Sequence, residues 1–163
     1  AAASASIDGM ISRVPATTFE EAVNLLAGAQ TIYLLAQRRS FPVTTYMSYM
    51  LGKMKVRSVL VSSPFGVEPE LMEFATKSDA ALAISFAPYS SGTVDHARIL
   101  ERAGVPIISI TDSAFSPLTQ ISKIWFEIAE SDFAGFRSIT ATMALASAIA
   151  IGIGEERRRL RFN

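Results

Sequence analysis

The chain contains no cysteine and a single histidine, His96. The first absence excludes disulfides, thiolate zinc sites and cysteine nucleophiles together, and it suits a reducing cytoplasm. The second leaves too few imidazoles for an ordinary transition-metal site, so no metal and no cofactor are expected. Excess charge is missing as well: 15 basic residues balance 15 acidic ones among 163. That balance removes the positive field on which non-specific nucleic-acid binding depends. The opening "AAASAS" has neither the basic start nor the long apolar run of a signal peptide. It reads as a linker or the cut edge of a longer chain over residues 1–15, followed by one domain over 16–163.

The most apolar stretch, "ITATMALASAIAIGIG" from Ile139 to Gly154, falls short of the roughly 20 residues a membrane span needs. Ala144, Ala148 and Gly152 recur every fourth residue, which leaves one side of such a helix nearly smooth. A helix buried in the fold or at a subunit interface is expected, with no membrane partner.

What the chain does have is apolar runs alternating with helical patterns, the mark of a parallel sheet covered on both faces. The expected strands are residues 31–36, 58–63, 80–85, 106–111 and 123–128. Their unbroken hydrophobicity reads as central strands. Helices are expected first with Phe19, Ala22, Val23 and Leu26 on one stripe, then over about 42–54, 67–77 and 91–103, with a short one at Ser116–Pro117 and a long one from about Phe136 to Arg159. Thr17 or Thr18 would cap the first, and Leu71, Phe74 and Ala75 would form the buried stripe of the third. Gly104 and Pro106 stop the fourth. The expected fold is α/β: a three-layer sandwich with a five-stranded parallel sheet in the order 2-1-3-4-5.

In such a sheet, ligands bind beyond the carboxyl ends of the strands, where strand order reverses. Two loops would flank that point: "AQRRSFPVT" after strand one and "FAPYSSGTV" after strand three. Both are rich in hydroxyls and lead into helices, whose free N–H groups favour an anion. Ser40, Ser90, Ser91 and Thr93 could therefore cradle a phosphate, or serve only as helix caps. Arg38 and Arg39 are either pocket cations or solvated surface charges. Tyr89 either stacks on a ligand or packs at the strand end. Asp112, at the same rim, either accepts a sugar hydroxyl or organises its turn.

Two motifs sharpen the reading. "ISFAPYSSGT" sets Phe86, Tyr89, Ser90 and Thr93 in a pattern, and "ITDSAFSPLTQIS" runs from Ile110 to Ser122. Over about residues 17–156 the chain resembles a SIS (sugar isomerase) domain, and in particular the effector domain of RpiR-type bacterial transcriptional regulators. That resemblance implies a domain that usually forms homodimers or homotetramers and binds a sugar phosphate. Ser40 in the first loop, and Ser85, Ser90 and Thr93 in the second, would hold the phosphate. Two departures stand out: Gln37, Arg38 and Arg39 replace a Gly-rich first loop, and Ala87 occupies the place of a second serine.

The first reading is a ligand-sensing domain without catalysis, and the second is an isomerase. An isomerase needs an acid and a base, for which Glu130 and His96 are the available groups. A regulator would reach DNA only through an N-terminal helix-turn-helix domain. A third alternative is a purely structural oligomerisation module. In the tail "RRRLRFN", the cations following Glu155 and Glu156 complement a helix end better than they form a nucleic-acid patch.

Overall fold

The computed structural model describes residues 1–162. Five parallel strands, β1 (Ile32–Ala36), β2 (Ser58–Leu60), β3 (Ala80–Ile84), β4 (Ile107–Thr111) and β5 (Ile124–Glu127), lie in the order β2-β1-β3-β4-β5. This is the expected sheet. Ile32 stands beside both Ser58 and Ala80, and Ile108 beside Ile124, so the register is continuous across it. Every residue of β1, β3 and β4 is buried, as strands covered on both faces require. β2 and β5 are the two edges and are only partly buried, although their hydrophobicity reads as central.

Alternation along each strand divides the interior into two cores. Ile32, Leu34, Leu82, Ile84 and Ile108 face one cluster, which also takes in Leu26, Met47 and Leu145 from the helices. Tyr33, Leu35, Ala81, Ala83 and Ile107 face the other, together with Val94, Leu100 and Leu118. Burying one such Leu or Ile side chain contributes about 1.5–3 kcal/mol.

The first core is covered by α2 (Ala16–Gly28), α3 (Phe41–Lys53) and α6 (Thr140–Phe162), with α2 and α3 each packed on α6. Gly152 of α6 makes this approach possible, because a Cβ there would come within 3.0 Å of Val23 Cγ2. The stripe of small residues is otherwise not the buried face: Leu145, Ala146, Ile149 and Ile153 are buried, while Ala148 faces solvent. The second core is covered by α4 (Glu68–Met72) and α5 (Ser91–Arg102). Among the described residues, no helix is long and apolar enough to cross a membrane.

Several local expectations are corrected. The opening residues, read as a linker, include helix α1 (Ala2–Arg13), which packs Ile7 and Met10 on the first core and lies against α6. α2 begins after Pro15 without a threonine cap, since proline at the N-cap fixes the entry and no side-chain cap bond forms. α4 is a single short turn, so Phe74 falls beyond it and is 84% exposed. Ser116 and Pro117 lie in a series of turns rather than a helix. α6 starts at Thr140, later than expected, because residues before it form an antiparallel hairpin of β6 (Asp132–Phe133) and β7 (Phe136–Arg137). The end of α5 is as read: Gly104 at φ 84 lets its own N–H and that of Val105 turn back to Glu101 and Leu100.

Candidate functional site

Parallel pairing of β1 with β3 sets the loops that leave their carboxyl ends side by side. After β1 the chain makes one 3-10 turn, Arg38–Ser40, and enters α3 with Pro42 in its first turn. After β3 it passes through Ser85, Phe86 and a cis Ala87–Pro88 peptide and enters α5 behind Ser90. Between the loops lies a hollow of about 370 Å³, walled by Ser40, Ser85 and Ser90, by Arg38 and Arg39, and by Gln37. Phe86, Pro88 and, from the hairpin, Gly135 and Phe136 complete the wall. Of the sequence-derived candidates, Ser40, Ser85, Ser90 and Arg39 thus share one cavity.

The three serines are buried, whereas both arginines remain exposed. The hollow therefore has neutral hydroxyls at its floor and cationic groups at its mouth. Arg39 spans the two loops, donating from Nη2 to the carbonyl of Ala87 at 3.1 Å. Arg38 has φ 55, a left-handed conformation that side chains rarely adopt. Arg38 thus holds a backbone that glycine would adopt more easily. Ser85 Oγ accepts the amide of Ser90 at 3.3 Å, which fixes the second loop on itself. Ser90 Oγ donates to Gln37 Oε1, tying the second loop to the first.

The remaining candidates stand elsewhere. Ser91 is the exposed first residue of α5, and Thr93 is buried with its Oγ1 unpartnered; neither lines the hollow. Tyr89 packs against the second core, and its hydroxyl donates to Asp112 Oδ1 at 2.7 Å. Burial, followed by the neighbouring Asp112, pushes the Tyr89 phenol above its ordinary pKa. Asp112 also accepts the Ala87 amide at 2.9 Å and Arg137 Nη1 at 3.3 Å. With both oxygens engaged, Asp112 organises the loop that carries Ser90. Its burial alone would push the carboxyl up, but the bonds from Tyr89 and Ala87 and the Arg137 charge together hold it below the usual carboxylate range.

Two features escaped the sequence reading. Gln37 makes the contact that closes the two loops, and the hairpin supplies the outer wall through Gly135 and Phe136. Only the glycines beside the site hint at either. A Cβ at Gly92 would lie 2.8 Å from Gln37 Cδ, so the glycine leaves room for that side chain over the start of α5. Gly135, at φ 85, follows Ala134 at φ 51, the mirror-image turn that a two-residue hairpin favours.

Glu130 and His96 lie outside the wall of the hollow. Glu130 Oε1 accepts the Thr142 amide at 2.7 Å and the Thr142 hydroxyl at 2.8 Å, capping the start of α6. Its Oε2 is buried without a partner. His96 is half-buried on α5.

A family model, the SIS domain, matches residues 25–152. Arabinose 5-phosphate isomerase KdsD of Pseudomonas aeruginosa is 25% identical over 158 residues, 93% of this chain and 48% of that protein. The chain thus spans about half the length of this curated relative. Among solved structures, the sugar isomerase domain of an RpiR transcription factor from Sphaerobacter thermophilus has a TM-score of 0.89 at 16% identity, over 96% of this chain and 88% of that one. The NanR protein of Vibrio vulnificus, solved with ManNAc-6P, has a TM-score of 0.84 at 16% identity, over 98% of this chain and 62% of its own. At such identities the structures speak for the fold alone. The family match covers the whole five-stranded sheet and its helices from the end of α2 into α6, and on that ground the chain belongs to the SIS domain family.

Proposed function

We propose that this SIS domain is the sugar-phosphate-binding effector domain of an RpiR-type transcriptional regulator. The observation that carries the reading is the convergence of Ser40, Ser85 and Ser90, with Arg38 and Arg39, on one hollow at the ends of neighbouring strands. A phosphate monoester offers three strong acceptor oxygens and nearly two negative charges at pH 7. Hydroxyls that rotate to follow the oxygens, and guanidinium forks at the rim, answer both demands. Phe86, Pro88 and Phe136 supply an apolar wall suited to the C–H face of a sugar. The likeness to NanR, solved with ManNAc-6P, supports the same ligand class.

On this reading the domain works in the cytoplasm as a homodimer or homotetramer. DNA contact belongs to a helix-turn-helix domain on its N-terminal side, in keeping with the domain's formal net charge of +0. The ligand acts by preferring one arrangement of the subunits over another.

A second reading, a sugar-phosphate aldose-ketose isomerase, is favoured by the 25% identity to arabinose 5-phosphate isomerase. It requires a base and an acid at adjacent carbons. Glu130 spends one oxygen on the start of α6, and His96 lies outside the hollow, which favours binding without turnover.

Calorimetry with a panel of pentose and hexose phosphates, run beside an aldose-ketose turnover assay, tests both readings. Binding of at least one member is expected, without turnover, and weakened about tenfold or more by Ser40→Ala or Ser90→Ala. Unchanged affinity in both variants would remove the site assignment. Turnover lost in Glu130→Gln would move the domain to the isomerases.

A further inference from the structure

The hydroxyl of Ser90 is well placed to cap α5, yet no side-chain cap bond forms there. It is donated instead to Gln37 Oε1. Gly92, in the first turn of α5, is the residue whose missing Cβ leaves room for the Gln37 amide. Gln37 itself lines the hollow beside Ser40 and Ser85. A neutral carbonyl oxygen therefore rests on the very hydroxyl that an entering phosphate needs, at a helix end that favours negative charge.

We propose that Gln37 is an internal competitor for the phosphate seat, and that its amide must leave Ser90 before a phosphate oxygen can accept from it. This inference rests on the reading of the hollow as a phosphate site, and it concerns how tightly and how selectively that site binds. The competing bond lowers the apparent affinity for every phosphorylated ligand by the factor needed to break it. An unphosphorylated sugar, which does not need the seat, escapes that penalty. Gln37 thus sets the binding threshold, and it narrows the preference for phosphorylated over free sugars.

A different role for Gln37 is equally definite in its consequences. If its Nε2 donated to the bound phosphate, removal would weaken binding instead. The sign of the effect separates the two.

The test is calorimetry of the full chain, wild type, Gln37→Ala, Gln37→Glu and Ser90→Ala, against inorganic phosphate, the sugar-phosphate panel and the matching free sugars at fixed ionic strength. Gln37→Ala is expected to bind phosphorylated ligands about three- to tenfold more tightly, the factor given by one ordinary hydrogen bond. Free sugars should be unaffected. Gln37→Glu should bind phosphorylated ligands more weakly than wild type, because a carboxylate would then hold the seat. Ser90→Ala should erase the advantage of Gln37→Ala when the two are combined. If wild type binds a sugar phosphate and Gln37→Ala binds it equally or less tightly, the competitor role alone is overturned. If none of these chains, the combined variant included, binds any phosphate compound, the site reading falls and takes this inference with it.

Discussion

Arg137 on the hairpin and Asp112 at the end of β4 form an ion pair at 3.3 Å. The same carboxylate accepts the Ala87 amide and the Tyr89 hydroxyl. Arg137 in addition lies over the Phe86 ring, 5.5 Å from its centroid. One carboxylate thus fastens the loop of Ser85–Ser90 to the hairpin that forms the outer wall of the hollow.

Asp112→Ala should therefore act on both stability and binding. Three donors lose their acceptor at once, which is expected to cost about 1–3 kcal/mol. Ligand affinity should fall although Asp112 itself does not line the hollow. Urea unfolding and calorimetry on the same variant check the two effects.

The carboxyl of Asp112 also predicts a pH dependence. Burial opposes ionisation, but Tyr89, the Ala87 amide and Arg137 outweigh it and leave the folded pKa below the ordinary value. A group of this kind contributes its full stability above its unfolded pKa, about 3.9, and loses it as pH falls towards the folded pKa. The stability difference between wild type and Asp112→Asn should hold from pH 6 to 5 and shrink below about 4. A difference that grows on acidification would contradict the network.

Arg38 and Lys55 both hold left-handed backbone, at φ 55 and φ 58. Glycine relieves such strain but adds freedom to the unfolded chain, so each change to glycine should leave stability equal or raise it by about 1 kcal/mol at most. Their effects on ligand should diverge. Arg38→Gly removes a guanidinium from the hollow and should weaken binding of any phosphate compound, whereas Lys55→Gly, at the end of α3, should not. Paired melting curves and titrations make the comparison.

Glu130→Ala should destabilise the fold by about 1–2 kcal/mol, because the Thr142 amide and hydroxyl both lose their acceptor at the start of α6. Sugar-phosphate affinity should be retained. Thermal unfolding with and without ligand measures both.

The sheet was legible because burial on two faces demands largely apolar runs: Ala80–Ile84 is wholly apolar, and Ile107–Thr111 carries only small hydroxyls, Ser109 and Thr111, among its isoleucines. The edges were not distinguishable from the centre for the same reason, since composition records hydrophobicity and not the number of neighbours. β7 was absorbed into the long helix, and β6 before it went unseen, because two-residue strands have no readable period and Ala134 hides the turn. In the site, Ser40 and Ser90 could be paired because strand order alone sets their loops together. Tyr89 and Asp112 stayed ambiguous because a bond across 23 residues depends on side-chain direction, which spacing does not encode. Gln37 looked like a departure from a glycine-rich loop, and its contact with Ser90 becomes visible only with the two loops in register.

The short ribbon after β5 is held at several places, the Arg137–Asp112 pair among them. Glu130 grips the start of α6, Ser131 bonds Ser6 and the Ala2 carbonyl of α1, and Phe136 stands on the hollow. Phe136, on the wall of the hollow, is thus only a few residues along the chain from Ser131, whose hydroxyl is bonded to Ser6 and to the Ala2 carbonyl of α1.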